Sequence, residues 1–191
     1  RFGQQSVVDA HGEYEFFGPR GIAIGDDGSI YVTDTGNKRV LVFGPQGEFQ
    51  REWGGGGVLD GYLDEPVGIA IGPDGLVYVA DTWNARVQVF DAQGDFVRQW
   101  PLEGLEELTI EDKPHIAVDS RGYVYVTDPS EYRVLVFDSF GEFVMAFGQY
   151  GFDDRSFAYP TGVAIGQADE IYVTDARSGR VLIYDPLFVE R

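Results

Sequence analysis

Residues 66–96 decide the fold, and they read PVGIAIGPDGLVYVADTWNARVQVFDAQGDF. Short apolar runs alternate with a period of two and are interrupted by Pro73-Asp74-Gly75, by Asp81-Thr82-Trp83-Asn84 and by Ala92-Gln93-Gly94. β-Branched and aromatic residues fill these runs, which favours strands over helices. Together with the run that ends at Trp100, the pattern predicts four antiparallel strands joined by tight turns.

The same pattern recurs along the whole chain with a spacing of 47 residues. Several positions keep this spacing and form columns of identical or similar residues. The columns are Tyr31, Tyr78, Tyr125 and Tyr172; Asp34, Asp81, Asp128 and Asp175; Arg39, Arg86, Arg133 and Arg180; Phe43, Phe90, Phe137 and Tyr184; and Trp53, Trp100 and Phe147. Columns that share one period indicate a structural repeat.

A repeated four-stranded unit of about 40–50 residues is typical of a β-propeller blade. We therefore predict an all-β chain, a β-propeller of four-stranded antiparallel blades with about four blades present. The predicted segments are 1–16, the end of a preceding blade or a closing segment; 17–57, blade 1; 58–104, blade 2; 105–151, blade 3; and 152–191, blade 4.

Residues 66 to 96 closely resemble an NHL repeat, through Pro-x-Gly-Ile-Ala followed by Val-Tyr-Val-x-Asp-x-x-Asn-x-Arg-Val-x-Val-Phe. The first copy matches at Pro19, Gly21, Asp34, Asn37 and Arg39, and the fourth at Pro160, Gly162, Asp175 and Arg180. The third copy departs from the pattern, with His115 in the glycine column and Glu131 in the asparagine column. The resemblance covers roughly residues 17 to 191 and implies a propeller, but a fold does not fix a function.

The number of blades leaves two arrangements open. NHL-like propellers usually close with five or six blades, so four blades indicate either part of a larger propeller, which we favour, or a four-bladed ring. Arg1-Phe2-Gly3 resembles the end of a blade, and 187–191 resembles the start of a last strand. An open array would expose strand edges and an apolar blade face, which predicts self-association.

Charge and composition exclude several classes of partner. The net charge of −18 would repel phosphate backbones, so we predict no nucleic-acid partner, although RNA binding is known among NHL-like propellers. Apolar runs reach only about five residues, so this segment is not expected to insert into a membrane. The chain has no cysteine, which excludes disulfides and thiolate metal sites. We predict no cofactor and no dedicated metal site.

The turns after the aspartate column and the long connections between blades should lie on one face, where binding specificity usually resides. These connections run from Trp53 to Pro66, from Trp100 to Pro114 and from Phe147 to Pro160. The candidate partner-binding residues on this face are Trp83, Asn84, His115, Tyr132 and Arg177. Trp83 does not repeat in the other copies, and a single aromatic side chain in a turn is a plausible contact residue.

The aspartate and arginine columns have a structural and a functional interpretation. Four carboxylates and four guanidinium groups could bind an ion, but an aspartate also caps a tight turn and an arginine five residues later can pair with it. Because every copy carries both residues, we favour the structural interpretation. The Gly54–Gly57 run lacks the Lys-Ser/Thr of a phosphate loop, and the acids between Glu103 and Asp112 favour a solvated face.

These observations favour a non-enzymatic recognition or scaffold module that binds a protein, peptide or glycan through the loop-rich face. The alternative is a metal-assisted lyase or hydrolase with a site at the channel mouth near His115. His11 is the only other histidine, whereas NHL-like lyases that use a metal draw on several histidines. The resemblance also favours a location outside the cytoplasm or in the cell envelope.

Overall fold

The computed structural model describes residues 4–5, 12, 15–102 and 113–187. The chain is an all-β protein whose strands form the four antiparallel blades of a β-propeller, and the residues described contain almost no helix. It divides into two compact units, Arg1–Glu107 with blades 1 and 2 and Leu108–Arg191 with blades 3 and 4. The terminal tripeptide Arg1-Phe2-Gly3, His11 and the acidic segment from Glu103 to Asp112 lie outside the described residues.

The first unit contains two complete blades, in each of which the strands follow one another in the order of the chain. Blade 1 consists of β3 (Gly21–Ile24), β4 (Ile30–Asp34), β5 (Arg39–Phe43) and β6 (Phe49–Gly54). Blade 2 consists of β7 (Pro66–Ile71), β8 (Val77–Asp81), β9 (Arg86–Phe90) and β10 (Phe96–Pro101). A short parallel pair, β1 (Gln4–Gln5) and β2 (Glu15–Phe16), precedes them.

The second unit repeats this order. Blade 3 consists of β11 (Ile116–Val118), β12 (Val124–Asp128), β13 (Arg133–Phe137) and β14 (Phe143–Phe147). Blade 4 has three strands among the described residues, β15 (Pro160–Ile165), β16 (Ile171–Asp175) and β17 (Arg180–Tyr184). Leu187 lies in a turn, and the rest of the predicted last strand, 188–191, lies outside the described residues.

The first hairpins of blades 1, 2 and 3 each contain a glycine with a left-handed backbone. Gly28 has φ +82°, and its N–H donates to the Gly25 carbonyl at 2.9 Å, which closes the turn between β3 and β4. Gly75 and Gly122 occupy the same column with φ +77° and +87°. Residues with a side chain rarely adopt this left-handed backbone, so the recurring glycine sets where each strand pair turns.

Apolar side chains between blades 1 and 2 form the core of the first unit. Val40 and Val42 on β5 pack with Ile69 on β7 and with Val77 and Val79 on β8. Two threonines add hydrogen bonds to the next blade. Thr33 Oγ1 donates to the Val67 carbonyl at 2.8 Å, and Thr35 Oγ1 to the Pro66 carbonyl at 2.6 Å.

The second unit has an equivalent core between blades 3 and 4. Val134 and Val136 on β13 pack with Ile171 and Val173 on β16. In both units, therefore, the third strand of one blade meets the first two strands of the next. This recurring contact explains why the apolar columns keep the spacing of the repeat.

One buried side chain joins these cores from each of two long connections, the one between Trp53 and Pro66 and the one between Phe147 and Pro160. Leu63 has no exposed surface, and its N–H donates to the Gly55 carbonyl at 2.9 Å. Phe157 holds the same column in blade 4, is equally buried, and donates from its N–H to the Gln149 carbonyl at 2.8 Å. Each connection is thus fastened to its unit by a buried apolar residue.

Leu63 and Leu59 lie in the same connection and offer a matched test of this anchor. Leu63→Ala should lower the free energy of unfolding by about 2–5 kcal/mol, because it leaves a cavity in the core. Leu59 is 69% exposed, so Leu59→Ala should change it by less than about 0.5 kcal/mol. Urea unfolding of both variants measures the difference, and equal effects would show that the connection is not anchored by Leu63.

A polar contact joins the first hairpins of blades 3 and 4. Asp169, whose φ is +63°, accepts the Ser120 N–H at 3.0 Å and the Ser120 hydroxyl at 2.6 Å. The hydrogen bonds from the Ser120 hydroxyl and N–H hold the pKa of Asp169 below its ordinary value. Because its pKa is lower in the folded state, ionised Asp169 stabilises the fold. This stabilisation is fully present above the pKa of the unfolded state, about 3.9, and is lost as the pH falls through the pKa of the folded state.

A carboxyl-detected NMR titration should therefore find Asp169 with a low pKa that returns toward 3.9 in Ser120→Ala. Asp153 provides the control, because its pKa is lowered by the nearby Ser156 side chain and by the Arg155 N–H instead. Its pKa should stay low in the same variant. An Asp169 titration that does not respond to the loss of Ser120 would contradict the assigned contact.

Candidate functional site

The aspartate column marks one end of every blade, which we call the loop end. Asp81 is the last residue of β8 and is paired in register with Arg86, the first residue of β9. Pro66, where the connection from blade 1 arrives, and Pro101, where the next connection leaves, pair with the same two residues. The turns after the aspartates and the long connections thus lie at the loop end, and the glycine hairpins lie at the opposite end.

Asp81 is fully buried and accepts hydrogen bonds from four groups. The donors are the Asp64 N–H at 2.6 Å, Arg86 Nε at 2.7 Å, Asn84 Nδ2 at 2.9 Å and Gln88 Nε2 at 3.0 Å. Burial raises the pKa of Asp81 above its ordinary value. The hydrogen bonds from Asp64, Asn84 and Arg86 act in the opposite direction but do not outweigh burial. The carboxylate joins the turn, the arriving connection and the third strand at one point.

Arg86 extends the same network into the connection. Its Nη1 donates to the Val58 carbonyl at 2.9 Å, and its Nη2 to the carbonyls of Leu59 at 3.0 Å and Tyr62 at 2.8 Å. A planar guanidinium with several fixed N–H groups suits this task, since it satisfies several acceptors at once. The pair Asp81–Arg86 therefore fixes the backbone of residues 58–64.

The other blades repeat this arrangement. Arg39 donates to Asp34 and Arg180 to Asp175. Each arginine also donates to backbone carbonyls of the segment that precedes its own blade. These acceptors are Gly12 and Glu15 for Arg39, and Phe152 and Ser156 for Arg180. In blade 3, Arg133 Nε lies 2.8 Å from Asp128. These contacts support the structural interpretation of the two columns.

Asp175 shows how the donors act on the carboxylate. Burial alone would raise its pKa, but the hydrogen bonds from the Ser178 hydroxyl and from the N–H groups of Ala158 and Tyr159 outweigh it and lower the pKa. Ser178 occupies the column that holds Asn37 and Asn84 in the first two blades. A hydroxyl thus replaces the amide as donor where the repeat pattern departs from asparagine.

The glycine run at the start of the first connection serves the backbone. Gly54 and Gly55 both have φ +108°, and a Cβ on Gly54 would approach the Lys38 carbonyl to 3.0 Å. Gly148 has φ +98° in the same column of blade 3. A left-handed backbone favours glycine at these positions, which explains Gly54 and Gly55 without a phosphate ligand.

Four exposed apolar side chains lie around the Asp81–Arg86 network, and we call them the apolar loop surface: Val58, Leu59, Tyr62 and Trp83. Trp83 is 53% exposed, and its N–H donates to the Asp64 carbonyl at 3.1 Å, which places its turn against the connection. The Arg86 bonds to the carbonyls of Val58, Leu59 and Tyr62 hold the other three in place. A rigid network thus presents apolar side chains to solvent.

The second unit carries an aromatic group at its own loop end, which we call the aromatic loop cluster: Tyr132, Tyr150 and Phe152. The rings of Tyr132 and Tyr150 meet edge to face with centroids 4.9 Å apart, and Tyr150 meets Phe152 at 5.9 Å. Tyr132 adopts a left-handed backbone, φ +57°, as Lys38 and Ala85 do at the equivalent turn positions. Tyr150 and Phe152 are more than half exposed.

The remaining predicted residues lie at the loop end but differ in their surroundings. Asn84 uses its amide inside the blade, donating to Asp81 and to the Gly57 carbonyl at 2.9 Å. Arg177 is exposed in the turn after β16. His115 precedes β11 and is half-buried, and its N–H donates to Thr127 Oγ1 at 2.8 Å. A role of these residues in binding stays a prediction.

Sequence reasoning missed Val58, Leu59, Tyr62, Tyr150 and Phe152. One signal was available, because Val58 and Phe152 share a column and both are apolar within a connection that is rich in glycine. Which apolar residue of a connection is buried and which is exposed depends on its backbone path. That path follows from the arginine contacts, which spacing alone does not reveal.

Among residues 4–5, 12, 15–102 and 113–187, no group of three or more His, Asp or Glu side chains is arranged to hold a metal ion. In the same part of the chain, no helix has the length and apolar character needed to cross a bilayer.

The arginine network can be tested by replacing Arg86 with lysine, which keeps the charge and loses the fork of N–H groups. Hydrogen bonds to a charged group contribute about 1.5–3 kcal/mol each, so amide exchange at Gly57, Tyr62 and Leu63 should accelerate at least about tenfold. Arg177→Lys, at an exposed arginine, should leave these amides unchanged. Unaltered protection in Arg86→Lys would show that Arg86 does not hold the connection.

The NHL repeat model matches the chain at residues 16–43, 63–90 and 157–184. The third copy, with His115 and Glu131, is not among the matched ranges. No curated protein matches the chain in sequence.

Three solved structures of similar fold are distant in sequence. An inactive variant of virginiamycin B lyase from Staphylococcus aureus with quinupristin is 15% identical, with TM-score 0.64, over 95% of this chain and 59% of that one. A gluconolactonase from Xanthomonas campestris is 19% identical, with TM-score 0.62, over 88% and 58%. Hydrazine synthase from Kuenenia stuttgartiensis is 16% identical, with TM-score 0.61, over 94% and 53%.

The chain thus spans little more than half the length of these structures, and the likeness concerns the fold alone. The matched repeats, the 47-residue columns and the antiparallel blades agree with one another at every level. The chain carries NHL repeats at the three matched positions, and its blades are consistent with an NHL-repeat β-propeller.

Proposed function

We propose that this chain is a non-enzymatic recognition module that binds a protein or peptide partner through the loop ends of its blades. The observation that carries the proposal is the apolar loop surface, four exposed apolar side chains on a backbone fixed by Asp81 and Arg86. Exposed apolar groups on a rigid frame are typical of interaction sites. A preorganised surface also loses little conformational freedom on binding.

The surroundings of this surface indicate the chemistry of the partner. Asp60 is exposed between Leu59 and Tyr62 and accepts a hydrogen bond from Gln99 Nε2 at 2.9 Å. Glu52 is exposed on the adjoining strand β6 and pairs with Arg39 at 2.8 Å. The whole chain carries a net charge of −18. A peptide segment with one or two aromatic or aliphatic side chains flanked by Lys or Arg would satisfy both the apolar and the acidic groups. Nucleic acid remains disfavoured by the same charge.

A glycan is the other partner class that sequence analysis admits, since exposed rings such as Trp83 and Tyr62 can stack on sugars. The surface also contains the aliphatic side chains of Val58 and Leu59, which suit a peptide better. We therefore favour a protein or peptide partner, and a glycan array tests the glycan alternative.

The alternative, a metal-assisted lyase or hydrolase around His115, draws support only from the names of structurally similar enzymes. Their sequence identity of 15–19% extends to the fold and not to the chemistry. Such a site would need further ligands next to His115. Metal analysis of the purified chain, with and without His115→Gly, tests this alternative directly: stoichiometric metal that is lost in the variant would favour it.

The recognition module can be tested by selecting a phage-displayed library of random linear peptides on the intact chain. We expect enrichment of peptides with an aromatic or aliphatic residue next to Lys or Arg. Trp83→Ala should weaken binding of a selected peptide at least about tenfold, because a buried aromatic anchor contributes about 2 kcal/mol or more. Isothermal titration calorimetry measures the change.

Phe140 provides the control for this experiment. It is an exposed aromatic residue in the turn between β13 and β14, at the end of blade 3 opposite the loop end. Phe140→Ala should leave peptide affinity unchanged. Binding that survives Trp83→Ala would overturn the proposed surface. A peptide library that yields no binder, together with hits on a glycan array, would overturn the proposed partner class.

A further inference from the structure

Two strand faces of the chain expose apolar side chains whose equivalents in other blades are buried or half-buried. The first lies on β3 of blade 1, where Ile22 and Ile24 are 65% and 67% exposed; we call it the leading face. The second lies on β17 of blade 4, where Val181 and Ile183 are 56% and 63% exposed; we call it the trailing face. Large exposed β-branched residues two positions apart on the same face of a strand are unusual on a water-facing surface.

Equivalent residues show what normally covers the trailing face. Val181 and Ile183 occupy the columns of Val40 and Val42 in blade 1, which are fully buried. Val40 and Val42 pack against the first two strands of blade 2. In the second unit, Val134 and Val136 hold the same columns and pack against blade 4. The trailing face therefore has the composition of a surface that receives the front of another blade.

The leading face is the complementary half of this contact. Ile22 and Ile24 occupy the columns of Ile69 and Ile71, which pack against the third strand of blade 1. Val163 and Ile165 hold the same columns in blade 4 and pack into the core of the second unit. The leading face thus has the composition of a surface that packs on the third strand of another blade.

Polar groups on the two faces are also complementary. In the first unit, Thr33 Oγ1 donates to the Val67 carbonyl of the next blade at 2.8 Å and lies 3.4 Å from the Gly21 carbonyl of its own blade. Thr174 holds the Thr33 column in blade 4, is exposed, and lies 3.4 Å from the Gly162 carbonyl. Arg20 holds the Val67 column and is exposed, whereas Val67 is buried.

From this complementarity we propose that two copies of the chain associate head to tail, with the trailing face of one copy on the leading face of the other. The contact continues the blade-to-blade packing already present in each unit, and Thr174 of one copy meets the Arg20 carbonyl of the next. Because the two faces differ, the contact is heterologous, and repeating it either closes a ring or extends a filament.

A second copy of the chain is the partner that covers these faces, because every copy carries both a leading face and a trailing face with apolar residues in matching columns. The net charge of the chain affects how strongly two copies associate. Each copy carries −18 charges, so long-range repulsion opposes the contact at low ionic strength and is screened as salt is added. The proposal predicts that association strengthens with salt, as expected for an apolar contact between like-charged molecules.

The test uses light scattering of the whole chain at 0.5 M NaCl, with two variants that each disable one face. Ile22→Glu/Ile24→Glu disables the leading face, and Val181→Glu/Ile183→Glu the trailing face. The unaltered chain should give a mass of at least twice 21.2 kDa, and each variant alone should give 21.2 kDa. An equimolar mixture of the variants should form a one-to-one complex, because one intact leading face remains to meet one intact trailing face.

Each other result contradicts the proposal. A monomeric unaltered chain at all concentrations would show that the two faces are not covered by a second copy. Association of either variant alone would indicate contact between like faces, and a mixture that stays monomeric would exclude the head-to-tail contact. Phe140→Glu is the control and should associate as the unaltered chain does. The faces are separate from Trp83, so failure here leaves the peptide-binding test unaffected.

Discussion

The hydrogen-bonded pair of a buried aspartate and an arginine five residues later is the interaction on which the loop end of each blade depends. Asp81 accepts four donors, and Arg86 passes the constraint on to three carbonyls of the preceding connection. A buried carboxylate without such partners would be costly, so the whole set must form together. The same chemistry therefore fixes a turn, a strand end and a connection in one step.

Strand formation and the repeat were predictable because they depend on local patterns. Alternation in residues 66–96 and the 47-residue columns led to the blades and to the NHL repeats, and the structural role favoured for the aspartates and arginines agrees with their contacts. The exposed surface was less predictable. Leu59 and Leu63 have the same side chain and lie four residues apart, yet one faces solvent and the other is fully buried. Their difference arises from the backbone path that Arg86 imposes.

The repeat also separates structural residues from residues free to take part in recognition. Positions that every blade needs, such as Asp34, Asp81, Asp128 and Asp175, are occupied by internal contacts. Trp83, Tyr150 and Phe152 lie beside them in positions where the copies differ. Asn84 lies at the loop end and donates its amide to Asp81 and to the Gly57 carbonyl, and its role in partner binding stays a prediction.

The most direct test of this account is a double-mutant cycle on Asp81 and Arg86, with Asp81→Asn, Arg86→Gln and the combined variant compared by urea unfolding. Partners in one buried network should be coupled, so the combined loss should differ from the sum of the single losses by more than about 1 kcal/mol. Additive losses, within about 0.3–0.5 kcal/mol, would contradict the claim that this pair organises the loop end.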